Sequence, residues 1–490
     1  MKKFSKVLSI LLSVVLVISS FYLLYQVIRL NVLPSKFLFP LTIGVVVLDA
    51  IFILLLVYFS KNVVSKIICI VLTLFICVAS CMGGYYISKT QGALSNITNV
   101  AKHAKNTVSV IVKESSSIKD KSQLNGVSVG SLRLNEQGSK KALKELSNEG
   151  IVLNQTEYDS MTALLEAFYN GEVDSIIINE SSRSQILDME AYSNFDSNTR
   201  VVYQTSYKVK NNDSASAVSD ITSKPFNVLI SGSDTRGGFD ENGRSDVIMV
   251  ATVNPKTHTI LLTSVPRDFY VTTACDAGDG CMQGALDKIT HTGIHGTNTT
   301  KRTVEQLLGI EINYTFKVGF DTVTELVDVL GGVDVYVEPG YATTTSQFSV
   351  HEGVNHLNGE QALAFARERY SYTEGDRQRT KNQQQVLMGI VKEATKPSVI
   401  TNYAAIMDTM ANTFSTTMSN EEITDLIKYQ LNNNPTWKME QYMVDGTGDT
   451  LMCAELGDAA SVMVPDQSTV KMAKDKINAV LAGKSSEDVK

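Results

Sequence analysis

Five arginines and two aspartates between residues 234 and 379 are spaced so that they could share one anionic ligand. Asp234 follows an apolar run in LISGSDTR, Arg244 and Asp246 precede a second in GRSDVIMVATVNP, and Arg267 follows a third in LLTSVPRDFYV. Strand ends in open α/β sheets face a common rim where ligands bind. Arg367 and Arg369 leave a short helix two residues apart, so extended backbone would point both the same way. In DRQRTKNQQQVLMGIV, Asp376 reads as a helix N-cap, and Arg379 and Gln383 fall four apart on the face that carries Val386, Leu387 and Ile390. A guanidinium on an inward face needs an anionic partner. An internal carboxylate or a bound phosphate would serve, and phosphate oxygens accept the planar fork of arginine well.

The charge balance narrows the chemistry. Two carboxylates with phosphate oxygens between them suit Mg²⁺, which keeps few protein ligands; otherwise an aspartate near a turn is a cap or turn former. Five guanidiniums with two carboxylates match a pyrophosphate plus one divalent cation, since cations neutralise charge that builds on a phosphate leaving group. The same set is a poor metal cage. His291 and His295 are four apart in THTGIHG, but this glycine-rich run is a poor helix with no evident third ligand, so they read as surface or rim imidazoles rather than a zinc pair. The net charge of −7 argues against a nucleic-acid binder.

These residues need a sheet and helices to position them. Phe226–Ile230, Val247–Val253, Thr259–Val265, Tyr314–Val318 and Val333–Val337 read as strands; Thr303–Leu308, Thr322–Leu330 and Gly359–Ala366 read as helices. The expected fold class is α/β, with a domain over 226–482 and a short tail over 483–490. A linker over 210–225 precedes it. Ahead of that, strands at Val108–Val112, Gly126–Gly130 and Val173–Ile178 alternate with helices at Ser139–Glu149 and Ser160–Gly171, which implies a small α/β accessory domain over 107–209.

The first ninety residues differ in kind. Apolar stretches at about 7–28, 37–59 and 63–87 are each long enough to cross a bilayer. They form an expected membrane region over 1–87, joined by a polar linker over 88–106. The first stretch has a basic tip but no clear cleavage site, so it reads as an uncleaved span. Lys2, Lys3, Lys6, Lys61 and Lys66 flank one side, which puts the N-terminus in the cytoplasm and everything after the third span outside. Asp49 lies mid-span, where a carboxylate either functions or makes a polar contact between helices. Cys275 and Cys281 bracket a short loop on the oxidising side, where a disulfide is plausible.

The segments NVLISGSDTR, RSDVIMVATVNPKTHTILLTSVPRDFYV, DKITHTGIHG and LNGEQALAFARERYSYTEGDRQRTKNQQQVL resemble the signature of LytR-CpsA-Psr proteins, in the family's order. Three spans and an accessory domain are most similar to the capsule-linked members. The run from LNGVSVG to SIIINES resembles one lobe of an extracellular solute-binding protein, without the second wall of a solute cleft.

The resemblance implies an α-β-α sandwich with an apolar pocket for a polyprenyl chain. It implies Asp234 and Asp246 on Mg²⁺, with Mn²⁺ an alternative, and Arg244, Arg267, Arg367, Arg379 and Gln383 on the pyrophosphate; Arg369 and Lys288 would line the rim. The implied enzyme is a phosphotransferase that moves a capsular or teichoic-acid-like phosphoglycan from a polyprenyl-pyrophosphate carrier to peptidoglycan. Its partners would be that lipid-linked glycan, peptidoglycan, membrane lipid and other envelope-assembly proteins. The alternatives are a lipid-binding regulatory protein and a pyrophosphate hydrolase.

Overall fold

A computed structural model describes residues 2–59, 62–98, 103–133, 136–233, 241–277, 279–411 and 414–490. Three helices, α1 (Lys2–Leu30), α2 (Ser35–Leu54) and α3 (Val63–Thr98), are long and apolar enough to cross a membrane. Asp49 of α2 accepts a hydrogen bond from Ser20 of α1 at 2.9 Å, the polar interhelical contact that the sequence allowed.

The sequence placed a polar linker over 88–106, but α3 runs through Thr98 and the next strand starts at His103. The physical reason is tertiary. Ala93, Leu94 and Ile97 are buried against Ile406 and Met407, so a stretch that looks polar presents an apolar stripe to a distant helix. The α1–α2 turn is tied to the same region: Lys36 donates to the Asn432 carbonyl at 2.7 Å, and Lys428 donates to Asn31 at 2.8 Å.

The accessory lobe contains β1 (His103–Lys113), β2 (Ser128–Leu132), α4 (Glu136–Asn148), β3 (Asn154–Tyr158), α5 (Met161–Asn170), β4 (Ser175–Asn179), α6 (Arg183–Asp188), α7 (Phe195–Asn198) and β5 (Thr199–Lys210). Its sheet has the order β3-β2-β4-β1-β5. Ser160 caps α5 by accepting from the Ala163 amide, and Gly171 closes it in the left-handed conformation, as its flanking residues suggest.

The larger domain is built on β6 (Phe226–Ser233), β7 (Ser245–Asn254) and β8 (Thr259–Ser264). After a small hairpin of β9 (Tyr270–Thr272) and β10 (Leu286–Lys288) come α8 (Thr297–Leu308), β11 (Tyr314–Gly319) and α9 (Phe320–Leu330). Then follow β12 (Val333–Val337), β13 (Thr343–Thr344), β14 (Ser349–Val350), β15 (Gly353–Leu357), α10 (Gly359–Arg367), α11 (Asp376–Ala394) and α12 (Val399–Met410). The chain ends in β16 (Phe414–Thr416), α13 (Asn420–Asn433), β17 (Lys438–Met443), β18 (Gly446–Cys453), β19 (Asp458–Pro465) and α14 (Gln467–Leu481). α8 starts at Thr297, a turn and a half before the Thr303 that periodicity suggested, because its first turn is polar yet buried.

The central sheet has the order β16-β11-β6-β7-β8-β17, with β11 and β17 parallel to their inner neighbours. Alternate residues serve opposite faces. Leu229, Val250 and Leu261 pack with Val304 of α8 and Ile477 of α14, while Val228, Ala251 and Leu262 face Leu387 of α11 and Leu426 of α13. Helices thus cover both faces, giving an α-β-α sandwich.

Candidate active site

The strand ends deliver the charged residues to one rim. Asp246 stands inside β7 rather than ahead of it, and accepts from Arg267 Nη1 at 2.9 Å and from Thr290 Oγ1 at 3.4 Å. Lys288 Nζ lies 3.3 Å from Asp268 Oδ1, and Arg267 Nε lies 3.8 Å from the other oxygen of that carboxylate. Asp268 was not singled out from sequence, although it adjoins Arg267. Gly293 lets the 289–295 segment close on the start of β7: a Cβ there would lie 2.5 Å from the Gly243 carbonyl and the Ser245 amide.

Arg379 has an internal carboxylate partner, one of the two that the sequence allowed, but the helix start differs. α11 begins at Asp376, with Gly375 at the cap position (φ 54°), so Asp376 is the first helical residue rather than the N-cap. Its carboxylate forms an ion pair with Arg379 one turn on. That contact leaves Arg379 Nε buried without a hydrogen-bond partner, and the Nε atoms of Arg244 and Arg267 are in the same condition. Buried N–H groups are almost always satisfied, so three orphaned guanidinium donors mark a place for acceptor oxygens.

Electrostatics agree. Burial, and after it the charges of Arg267 and Arg369, outweigh Asp376 and Asp246 and pull the Arg379 pKa below the ordinary arginine value. Arginine stays protonated regardless; the direction reflects chiefly the burial of this guanidinium, with Arg267 and Arg369 adding to it. Arg267 lies the other way: burial works against its charge, but Asp246 and Asp268 outweigh that and raise its pKa.

Arg244, Arg267, Lys288 and Arg369 line one cleft of about 560 Å³. Arg369 rests on the Tyr370 ring at 4.7 Å and donates to its hydroxyl. Arg367 is exposed at the end of α10, and Gln383 lies half-buried one turn beyond Arg379. Asp234 lies outside the described residues. Among the described residues, no three His, Cys, Asp or Glu groups converge to hold a metal. Asp246 at the arginine rim therefore suits only a cation that leaves most of its shell to water and phosphate.

His291 lines the cleft of the arginine rim, as the sequence allowed, whereas His295 lies outside it. His291 is buried with Nδ1 2.7 Å from Asp287, and His295 places Nε2 2.9 Å from Glu455. Each ring meets its own carboxylate. Cys275 and Cys281 form a disulfide.

Sequence could not disclose a second cavity, because its lining reads like any core. It holds about 500 Å³ between the sheet and α9, α11, α12 and α13, walled by Ile230, Leu262, Leu326, Ile390, Ile406 and Leu426 among others. α11 carries Arg379 at the rim and Leu387 in the cavity wall, about 12 Å apart along the helix axis.

An α-β-α sandwich with a phosphate-suited arginine rim and an adjoining apolar cavity defines the class. The chain matches the LytR_cpsA_psr family over residues 191–479, more than half its length, and belongs to it. It is 32% identical over 241 residues to the polyisoprenyl-teichoic acid–peptidoglycan teichoic acid transferase TagU of Bacillus cereus strain AH820, covering 49% of this chain and 76% of that one. TagU of Bacillus subtilis strain 168 is 34% identical over 203 residues, covering 41% and 63%. The crystal structure of B. subtilis TagU aligns with 29% identity and a TM-score of 0.41, covering 53% of this chain and 97% of that one.

Proposed function

We propose that this chain is a phosphotransferase that moves a phosphoglycan, capsular or teichoic-acid-like, from a polyprenyl-pyrophosphate carrier to peptidoglycan. The observation that carries this reading is the occurrence of three buried, unpartnered guanidinium Nε atoms beside an apolar cavity, with α11 contributing Arg379 to the first and Leu387 to the second. A ligand with an anionic head and a long apolar tail satisfies both. TagU is named for the corresponding transfer of teichoic acid.

In the proposed reaction, a sugar hydroxyl of peptidoglycan attacks the sugar-proximal phosphorus of the donor. The new P–O bond replaces the bond to the bridging oxygen, and polyprenyl phosphate leaves with that oxygen. The hydroxyl proton passes to a base, for which Asp234 is the candidate. Arg244, Arg267 and Arg379 hold the phosphate oxygens, with Arg367, Arg369, Lys288 and Gln383 around them. Asp246, with Asp234, would hold Mg²⁺ or Mn²⁺, which when bound neutralises phosphate charge.

The reaction needs no nucleotide, which suits a domain outside the cell; the lysine distribution around the spans supports a cytoplasmic N-terminus. The contacts of α3 with α12, and of the α1–α2 turn with α13, support a lipid cavity next to the membrane anchor. The test is to incubate the full chain in detergent with a polyprenyl-pyrophosphate oligosaccharide, peptidoglycan fragments and Mg²⁺, and follow products by mass spectrometry. A glycan–phosphate–peptidoglycan product, lost with chelator, is expected. Free glycan phosphate alone would instead mark a hydrolase, and binding without turnover a lipid-binding protein.

A further inference from the structure

The cleft that holds the arginine rim has two walls, and the accessory lobe supplies the second. Arg244, Arg267 and Lys288 line one side; Glu166, Gln185, Glu190 and Tyr192 of the lobe line the other. The lobe is fastened there by named contacts. The Met161 amide donates to the Leu456 carbonyl at 3.0 Å, Thr162 Oγ1 donates to Asp458 at 2.6 Å, and Lys105 pairs with Glu241 at 3.2 Å. The lobe alone had only half a binding cleft; docking completes it.

The two walls differ in chemistry. One is cationic and takes phosphate. The other carries carboxylates that would repel phosphate but accept hydrogen bonds from hydroxyl groups. Gln185 is 3% exposed, and its Nε2 has no hydrogen-bond partner. A carboxamide donor this buried is rarely left unpaired. Half-buried Tyr192 stacks on Tyr169 at 5.4 Å, which holds a flat apolar surface at the cleft. A few convergent polar groups beside an aromatic face in a cavity of this size are how small-ligand sites are built.

We propose that the lobe wall is a pyranose subsite of the cleft. It takes neutral or amine-bearing sugar units of one of the two reacting glycans: Gln185 donates to a ring substituent, Glu166 and Glu190 accept from hydroxyls, and Tyr192 packs on the ring. This deepens the transferase reading and rests on it. The acidic wall disfavours uronic acids or phosphorylated sugars at this position and fixes which end of the ligand faces the arginines.

The test measures binding to the full chain in detergent by calorimetry. Three probes are used: farnesyl pyrophosphate, farnesyl pyrophosphate bearing an N-acetylglucosamine-containing disaccharide, and a pyrophosphate-free muropeptide. Gln185→Ala and Tyr192→Ala are each expected to weaken a sugar-bearing probe by roughly tenfold, near the upper end of one hydrogen bond's net worth, and to leave farnesyl pyrophosphate unchanged. Arg267→Ala should weaken both farnesyl probes. Loss confined to the disaccharide probe assigns the subsite to the donor, and loss confined to the muropeptide assigns it to the acceptor. Glu190→Ala, at an exposed position, makes the same comparison if Gln185→Ala does not fold. Folded variants that bind every probe as the wild type does would overturn the proposal. A wild-type chain that binds saccharide but no lipid pyrophosphate would keep the subsite and remove the phosphate reading.

Discussion

Asp188, at the end of α6 in the accessory lobe, forms an ion pair with Arg244 at the start of β7. Burial alone would raise the Asp188 pKa, but Arg244, and then Arg267 and Lys288, outweigh it and hold the carboxyl below its usual value. The lobe thus presents its own anion to the phosphate rim. With a depressed folded pKa, the contact stabilises the docked lobe above the ordinary carboxylate range and fades only as pH falls through that lower value. Asp188→Asn is expected to free Arg244 and tighten binding of inorganic pyrophosphate by roughly fivefold, the worth of about 1 kcal/mol for such a pair. Titration calorimetry reads this, and unchanged or weaker binding would show that Asp188 does not compete with phosphate.

Arg267 serves Asp246 as well as phosphate. Its side chain is 15% exposed and that of Asp246 is 11% exposed, so Arg267→Ala leaves a carboxylate buried without its partner. A loss of about 3 kcal/mol in denaturant unfolding is expected. Arg267→Lys keeps the charge without the fork, and should lose on the order of a hundredfold in turnover with a smaller change in stability. A lysine variant with wild-type turnover would remove Arg267 from the clamp.

The apolar cavity makes a prediction about chain length. Ala251 of β7 is buried in its wall, and Ala251→Phe would fill space there. KM should rise roughly tenfold or more for long-prenyl donors and change little for short ones, since each buried methylene contributes about 0.8 kcal/mol. Equal effects at every chain length would mean that the prenyl tail lies elsewhere.

His295 couples the lobe's docking site to pH. Burial lowers its pKa, but Glu455 at 2.9 Å outweighs that and raises it above the ordinary value. A raised folded pKa means that the stabilisation is fully present below about pH 6.5 and is lost as pH climbs through the folded value. Glu455 sits in the β18–β19 turn, beside the Leu456 carbonyl that receives the Met161 amide. The melting temperature should therefore fall as pH is raised above about 6.5, and His295→Gln should flatten that slope. A wild-type chain without the slope would show that His295 carries no charge in this pair.

The sequence by itself determined the parts set by local pattern. Apolar length marks α1, α2 and α3, and β6, β7 and β8 stand out because strands covered on both faces are nearly continuous apolar runs. The 3.6-residue period puts Arg379 on the packed side of α11, although not the helix's first residue, which depended on a positive φ at Gly375. The tertiary structure decided what these side chains meet. His295 finds Glu455 across 160 residues, Asp188 finds Arg244 across 56, and the end of α3 is buried only because α12 folds against it. The two cavities follow the same rule, because apolar residues that line a void and those that fill a core have the same spacing, and only docking of the elements separates them. Periodicity reports the backbone's own geometry, whereas a partner depends on how whole elements come together.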